Sequence, residues 1–245
     1  MTEHSNKRVA LVTGANKGIG FETVRQLAKQ GITVLLGSRD EQRGKAAAAK
    51  LKGEGLDVQF LHLDVDDATT HDAARRFIED KFGKLDILVN NAGIAIDSTR
   101  KPSEADMKVL RTTFDTNFFG AISVTQALLP LIRKSDAGRI VNVSSGLGSL
   151  TQHSDPGWKF YEVKPLAYNA SKTALNAFTV MLAHELKDTA IKVNSADPGF
   201  TATDLNAHRG YKTVEQGVLI IIRLATLPAD GATGGYFDDQ GVVPW

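Results

Sequence analysis

Short apolar runs alternate along the chain with longer stretches of helical patterning. The runs are RVALVT (8–13), TVLLGS (33–38), VQFLHL (58–63), LDILVN (85–90), GRIVNVSS (138–145) and IKVNS (191–195). Nearly unbroken apolar character over so few residues predicts strands buried on both faces. Between them the pattern predicts helices near residues 18–30, 41–52, 69–82, 104–133, 168–187 and 213–225. Strand and helix in alternation imply right-handed crossovers that lay down a parallel sheet covered by helices. The fold class expected is therefore α/β, a doubly wound parallel sheet of about seven strands.

Residues 146–167 and 199–213 fit neither pattern. Connections of that length in a compact domain serve as lids or binding loops, or are disordered. Both follow predicted strand C-termini, the end of an open α/β sheet where ligands sit. No repeat or linker divides the chain, so a single domain over residues 1–245 is expected.

Composition narrows the function classes. The 29 basic and 28 acidic residues are mixed in sequence and sum to a formal charge of +1. No field is available to concentrate nucleic acid or anionic lipid, and neither is expected as a partner. Cysteine is absent and the six histidines lack paired-ligand spacing, so no metal site is expected. The N-terminal MTEHSNKR has no apolar core, and the longest aliphatic run, Val218 to Ile222, is far too short to span a bilayer. A cytoplasmic protein is expected, in which the sequons at Asn142 and Asn169 are incidental.

The segment Thr13-Gly14-Ala15-Asn16-Lys17-Gly18-Ile19-Gly20 joins the first strand to the first helix. Glycines there let the backbone turn sharply and approach a pyrophosphate, which rests on the N–H groups of the helix start. The spacing TGxxxGxG differs from the GxGxxG fingerprint, and such a turn can also be only a tight connection. The second strand ends Gly37-Ser38-Arg39, where an acidic residue would suit the ribose hydroxyl of NAD. A hydroxyl and a guanidinium instead suit the 2′-phosphate of NADP(H), with Lys17 as a second positive charge. The opposing readings are that Asp40 reaches back to the ribose, or that Arg39 is a solvated turn residue.

Tyr168 and Lys172 stand four apart at the start of a predicted helix, which stacks them on one face. Alone the pair is ordinary. Ser144-Ser145 at the end of the fifth strand and Asn117 in the long preceding helix give it company. A phenol with pKa about 10 needs a depression of roughly three units, about 4 kcal/mol, to exchange protons near neutrality. A nearby ammonium and an oxidised nicotinamide together would supply that depression, and Ser145 would polarise a substrate oxygen.

With TGANKGIG, NNAG, NVSS, YNASK and PG followed by Thr in this order, the chain resembles the short-chain dehydrogenase/reductase family over essentially its whole length. Within it the chain looks most similar to the carbonyl-reductase-like members, with FDDQGVVPW in agreement. The resemblance implies NADP(H) as cofactor, with NAD(H) less suited, and reversible reduction of a ketone or aldehyde to an alcohol. It implies that Gly14, Gly18 and Gly20 form the phosphate turn, lined by Asn16, Lys17 and Ile19. Ser38 and Arg39 would take the 2′-phosphate, Asp64 and Val65 the adenine, and Asn91, Ala92 and Gly93 the nicotinamide ribose. Pro198, Gly199, Thr201 and Thr203 would meet the carboxamide. Asn117 would hold a relay water, Ser145 orient the carbonyl with Ser144 as the fallback, Tyr168 act as general acid/base, and Lys172 bind ribose and lower the tyrosine pKa.

One departure from most of the family is the 23-residue spacing of Ser145 and Tyr168. It resembles the longer insertion of carbonyl reductases that act as monomers. The extra loop, with Trp158, Phe160 and Tyr161, is expected to cap the substrate pocket and obstruct helix pairing between copies. The plainer alternative is that its aromatics only pack the loop onto the surface. Monomer and homo-oligomer stay open. A small hydrophobic carbonyl or alcohol is the expected substrate, NAD-dependent alcohol oxidation is the nearest alternative, and a non-catalytic dinucleotide sensor the more remote one.

Overall fold

Val9–Val12 (β1), Thr33–Ser38 (β2), Ile87–Asn90 (β4) and Arg139–Val143 (β5) are buried at every position, as continuous apolar runs require of strands covered on both faces. Together with Val58–His62 (β3), Lys192–Ala196 (β6) and Tyr236–Phe237 (β7) they form one parallel sheet in the order β3-β2-β1-β4-β5-β6-β7. The computed structural model describes residues 7–97 and 101–245. Residues 1–6, which bear on the expected localisation, and residues 98–100 lie outside them.

Alternate residues of each strand feed opposite layers. Ala10, Val12, Val34 and Leu36 pack with Val24 and Leu27 of α1 (Gly18–Lys29), Leu51 of α2 (Glu41–Gly53), and Ile221 and Leu224 of α9 (Leu219–Ala225). Leu11, Leu35, Leu88 and Ile140 pack with Ile78 of α3 (Ala68–Phe82), Leu128 of α5 (Gly120–Ile132) and Leu182 of α7 (Leu166–Glu185). The strand order reverses between β1 and β4, which opens a crevice at their C-terminal ends.

The helix expected over 104–133 is interrupted. A short 3-10 turn at Pro102–Glu104 precedes α4 (Met107–Phe114), and a π-helical turn at Asp115–Phe119 separates it from α5. Hydrophobic periodicity runs through such a turn, so it leaves no mark in the pattern. The helix expected over 213–225 is likewise two pieces, α8 (Val214–Gly217) and α9.

Several buried polar groups are tied to the main chain or to one another. Arg139, 1% exposed, donates to the carbonyls of Gly138, Ala190, Leu227 and Pro228. Asn90 donates to Asn142 at 2.8 Å, Asn142 to Thr179 at 2.8 Å, and Thr179 shares a hydrogen bond with Ser195 at 2.8 Å. This chain crosses β4, β5, α7 and β6 and sets their register from inside. Asn142 and Asn169, the two sequon residues, are both buried.

The insertion after Ser145 holds a 3-10 turn (Gly146–Gly148) and α6 (Leu150–His153). Its rings meet edge to face in a ladder, His153 to Trp158 to Phe160, which continues to Phe200 and Tyr211 of the second long loop. Lys159 donates to the Tyr211 hydroxyl at 2.6 Å and lies over both the Phe160 and Tyr211 rings. The aromatics thus anchor the loop, and what they anchor it to is the second long loop. Among the described residues, no helix is long and apolar enough to cross a membrane, and no cluster of His, Cys, Asp or Glu is arranged to hold a metal.

Candidate active site

The glycine turn is shaped by close backbone approach. Gly14 and Gly18 adopt φ of +62° and +56°, and a Cβ on Gly14 would stand 2.8 Å from the Ala92 Cα. Gly20 is crowded in the same way by the Gly14 carbonyl at 2.8 Å. Asn91 staples the turn, its Nδ2 donating to the Thr13 and Gly14 carbonyls at 2.8 and 3.2 Å. The Thr13 hydroxyl accepts from the Asn91 and Ala92 amides, both at 3.0 Å. Asn91 and Ala92 thereby support the turn as well as β4. Asn16 and Ile19 are half-buried beside it and Lys17 is exposed.

At the end of β2, Ser38 is buried and its hydroxyl donates to the Asp40 carbonyl at 3.0 Å, while Arg39 is exposed. Asp40 is the N-cap of α2, its carboxylate accepting from the Arg43 amide at 2.9 Å. That carboxylate already has a partner in capping, which weighs against the reading that it reaches back to a ribose. Asp64 and Val65 follow β3. The Asp64 main chain is held by Thr70 and His71, and Val65 is packed beneath Gly120 at the start of α5.

The loop after β6 folds over the glycine turn. Gly199 turns at φ +72°, Thr201 is buried with its hydroxyl donating to the Pro198 carbonyl at 3.0 Å, and Thr203 lies against Gly18. Lys17 pairs with Asp204 across the gap at 2.6 Å. The charge assigned to the glycine turn is therefore shared with a carboxylate that sequence reading passed over.

The second cluster converges on α7. Asn117 sits in the π turn, 1% exposed. Its Oδ1 accepts from the Ile94 amide at 2.8 Å, and its Nδ2 donates to the Ile94 carbonyl at 2.9 Å and the Ser171 hydroxyl at 3.0 Å. Its side chain is thus committed to fixing the segment that follows Gly93. A Cβ on Gly93 would stand 3.3 Å from Asn117 Oδ1 and 3.5 Å from Lys172 Nζ. Lys172 is buried, donates to the Val143 carbonyl at 2.9 Å, and lies 5.6 Å from the centre of the Tyr168 ring. The Ser145 side chain faces the Tyr168 hydroxyl and favours its ionised form. Ser144 points away, its hydroxyl donating to the Lys172 carbonyl at 3.5 Å, so Ser145 is the serine that meets the tyrosine.

Among the protein's own groups, burial pushes Tyr168 up to about 12, Ser145 opposes it, and the carboxylates of Asp197 and Asp97 add to it. Burial lowers Lys172 to about 8. A desolvated phenol facing two carboxylates holds its proton, and an ammonium that is itself desolvated is a weak counterweight. Asp97 also touches the helix start, accepting from the Tyr168 amide at 3.2 Å.

Asp97, Asp197 and Tyr236 are the neighbours that sequence reading missed. Asp197 is the one with a sequence signal, an acidic residue directly before the Pro198-Gly199 turn.

The short chain dehydrogenase family profile matches residues 8–213. The chain belongs to the short-chain dehydrogenase/reductase family. It is 36% identical to short-chain dehydrogenase/reductase 1 of Saponaria officinalis, covering 98% of this chain and 97% of that protein. It is 34% identical to carbonyl reductase [NADPH] 1 of Mus musculus, covering 98% and 99%. Among solved structures it superposes on the NADPH-bound carbonyl reductase from chicken fatty liver with a TM-score of 0.84, at 26% identity and with 98% and 99% of the two chains covered. The parallel sheet is thus the Rossmann-type fold of this oxidoreductase family, with the five motifs in their places.

Proposed function

We propose that this short-chain dehydrogenase/reductase is an NADPH-dependent reductase of ketones or aldehydes, working reversibly. The observation that carries the reading is the Tyr168 phenol facing the Ser145 side chain, with Lys172 Nζ over its ring, 5.6 Å from the centre.

The cofactor's fit rests on the cradle. The turn leaves no room for a side chain at Gly14 or Gly20, against Ala92 and the Gly14 carbonyl, and Gly18 turns at φ +56°, which leaves main-chain N–H groups at the start of α1 to meet a pyrophosphate. Asn16, Lys17 and Ile19 line that turn. Arg39, exposed beside the buried Ser38, is the group for a 2′-phosphate, with Asp40 engaged in capping α2. Asp64 and Val65 border the adenine end. Asn91, Ala92, Gly93 and Lys172 border the second ribose, and Pro198, Gly199, Thr201 and Thr203 the carboxamide. The mouse and chicken relatives, described as NADPH-dependent and NADPH-bound, support the same choice of dinucleotide.

The bound dinucleotide supplies a hydride to the carbonyl carbon. Ser145 donates to the carbonyl oxygen and holds it beside Tyr168, which releases its proton to that oxygen as the alcohol forms. A phenol held protonated by burial is poised to donate. In the reverse direction it must first lose that proton, and the positive charges of Lys172 and of an oxidised nicotinamide favour this. Asn117 keeps the Ile94 main chain against α7 and so acts by positioning. The aromatic ladder gives the crevice an apolar wall, which suits a small hydrophobic carbonyl compound.

A panel of aldehydes, aryl ketones, diketones and terpenoid ketones with NADPH tests the reading. Turnover that disappears in Tyr168→Phe while NADPH still binds supports it; undiminished turnover removes Tyr168 from its role. Arg39→Asp should reduce the kcat/KM preference for NADPH over NADH, and an unchanged preference would refute the phosphate contact.

A further inference from the structure

Asp197 occupies the first position beyond β6, where three strand ends meet. Its own amide donates to the Phe237 carbonyl of β7 at 2.7 Å, and one residue earlier the Ala196 carbonyl accepts from the Ser144 amide at 2.8 Å. The side chain of Asp197 is thereby held between the end of β5, which carries Ser145, and the turn that starts at Pro198. Its Oδ1 accepts from the Gly199 amide at 2.8 Å. Its Oδ2 packs against Gly146, directly after Ser145, where a Cβ would stand 2.9 Å from it, and the Gly146 main chain favours the charged carboxylate.

From this geometry we infer that Asp197 is a positioning residue for the reaction, its carboxylate fastening the turn after Ser145 to the turn that begins at Pro198. The inference rests on the proposed hydride transfer, because it assigns those two turns to the carbonyl and the nicotinamide. Through this one side chain the two walls keep a common register, so that a carbonyl held at Ser145 stays in line with the ring bordered by Gly199. Orientation of this kind is sensitive to small displacements. Glycine at 146 follows from the same contact, since any side chain there would press on the carboxylate.

Other groups surround the carboxylate. Lys212, whose Nζ pairs with Asp239 at 2.8 Å, and Asp238 act on Asp197 with opposite signs, and burial raises its proton affinity against the two amides. Tyr236 lies on the far side, its hydroxyl donating to the Ser145 carbonyl, and it too feels the Asp197 charge. Tyr168 faces Ser145, Asp197, Asp97 and the Lys172 ammonium. Among these, Asp197 is the carboxylate that touches both turns. Removing its charge therefore changes geometry and the field on Tyr168 together.

The test compares the wild type with Asp197→Asn, which keeps the size but gives up the charge and one acceptor oxygen. Steady-state reduction of an aryl ketone with NADPH and oxidation of the product alcohol with NADP+ are followed across pH. Melting temperature and NADPH affinity serve as controls. The expected result is a folded variant with NADPH affinity within about threefold of wild type and kcat/KM lower by about tenfold to a hundredfold. The pH limb of oxidation should also move to lower pH by about one unit, because the phenol loses a neighbouring negative charge. A folded variant with unchanged kcat/KM, or with reduced activity but an unmoved limb, overturns the inference, since a packing role alone would not shift the limb. Should Asp197→Asn fail to fold, Gly146→Ala applies the strain from the other partner; there a kcat loss at constant NADPH affinity is expected, and wild-type kcat overturns the inference. Wild-type protein that turns over no carbonyl compound or alcohol refutes the parent reading instead, so the two failures are distinct.

Discussion

Lys17 of the glycine turn and Asp204 of the loop after β6 form an ion pair of 2.6 Å, joining segments 187 residues apart across the mouth of the proposed cofactor crevice. Both side chains are more than half exposed, so the pair adds little to stability. It does hold the one cation of the glycine turn away from an arriving phosphate. Asp204→Asn is expected to leave the melting temperature within about 2 °C of wild type and to tighten NADPH binding about two- to fivefold at low salt, with the gain fading as salt rises. Titration of NADPH fluorescence at two ionic strengths checks this; weaker binding would show that Asp204 supports the closed loop more than it competes.

Lys172 links the site to pH-dependent stability. Its folded pKa of about 8 lies below the ordinary 10.5, so between those values the unfolded chain binds the extra proton and wild-type stability rises with pH. Lys172→Met lacks that rise. The stability difference between the two proteins should therefore move in favour of the wild type by up to about 3 kcal/mol from pH 7.5 to 10.5. Urea unfolding at several pH values measures it, and a difference independent of pH would contradict a buried, depressed lysine.

Arg139 predicts a purely structural loss. Its guanidinium serves four main-chain carbonyls from β5, the turn before β6 and the segment after α9. Arg139→Met leaves those acceptors buried without their donor, at an expected cost of about 3 kcal/mol or more. Denaturant unfolding reports the loss, while KM for NADPH in the surviving folded fraction should stay near wild type.

The ladder between the two long loops predicts a kinetic effect. Phe160 meets both Trp158 and Phe200, so Phe160→Ala separates the insertion from the loop after β6. The expected result is a KM for an apolar ketone raised about tenfold, on the order of the 1–1.5 kcal/mol that aromatic contacts contribute, with melting temperature little changed. Equal effects on KM for apolar and polar carbonyl compounds would argue against an apolar wall.

Much of the architecture was legible because it follows from local rules. Unbroken apolar runs announced strands covered on both faces, and their alternation with helices predicted the parallel order that β1 to β6 display. The π turn at Asn117 escaped notice since one extra residue per turn barely disturbs a hydrophobic stripe. The division of 213–225 into α8 and α9 escaped for a similar reason. The influence of burial and of Asp97 and Asp197 on Tyr168 could not be read from the sequence, because the two carboxylates are 71 and 29 residues away in the chain.

By itself the sequence determined the fold class, the glycine turn, and the ordered set of Asn117, Ser145, Tyr168 and Lys172, since periodicity and residue type are properties of short segments. Tertiary structure alone decided that Asp40 caps a helix, that Lys17 faces Asp204, and that the two long loops clasp each other through their rings. Each of these is a contact between distant segments. Which groups end up within hydrogen-bonding reach, and how much water is left between them, is set only once the sheet has brought its strand ends together.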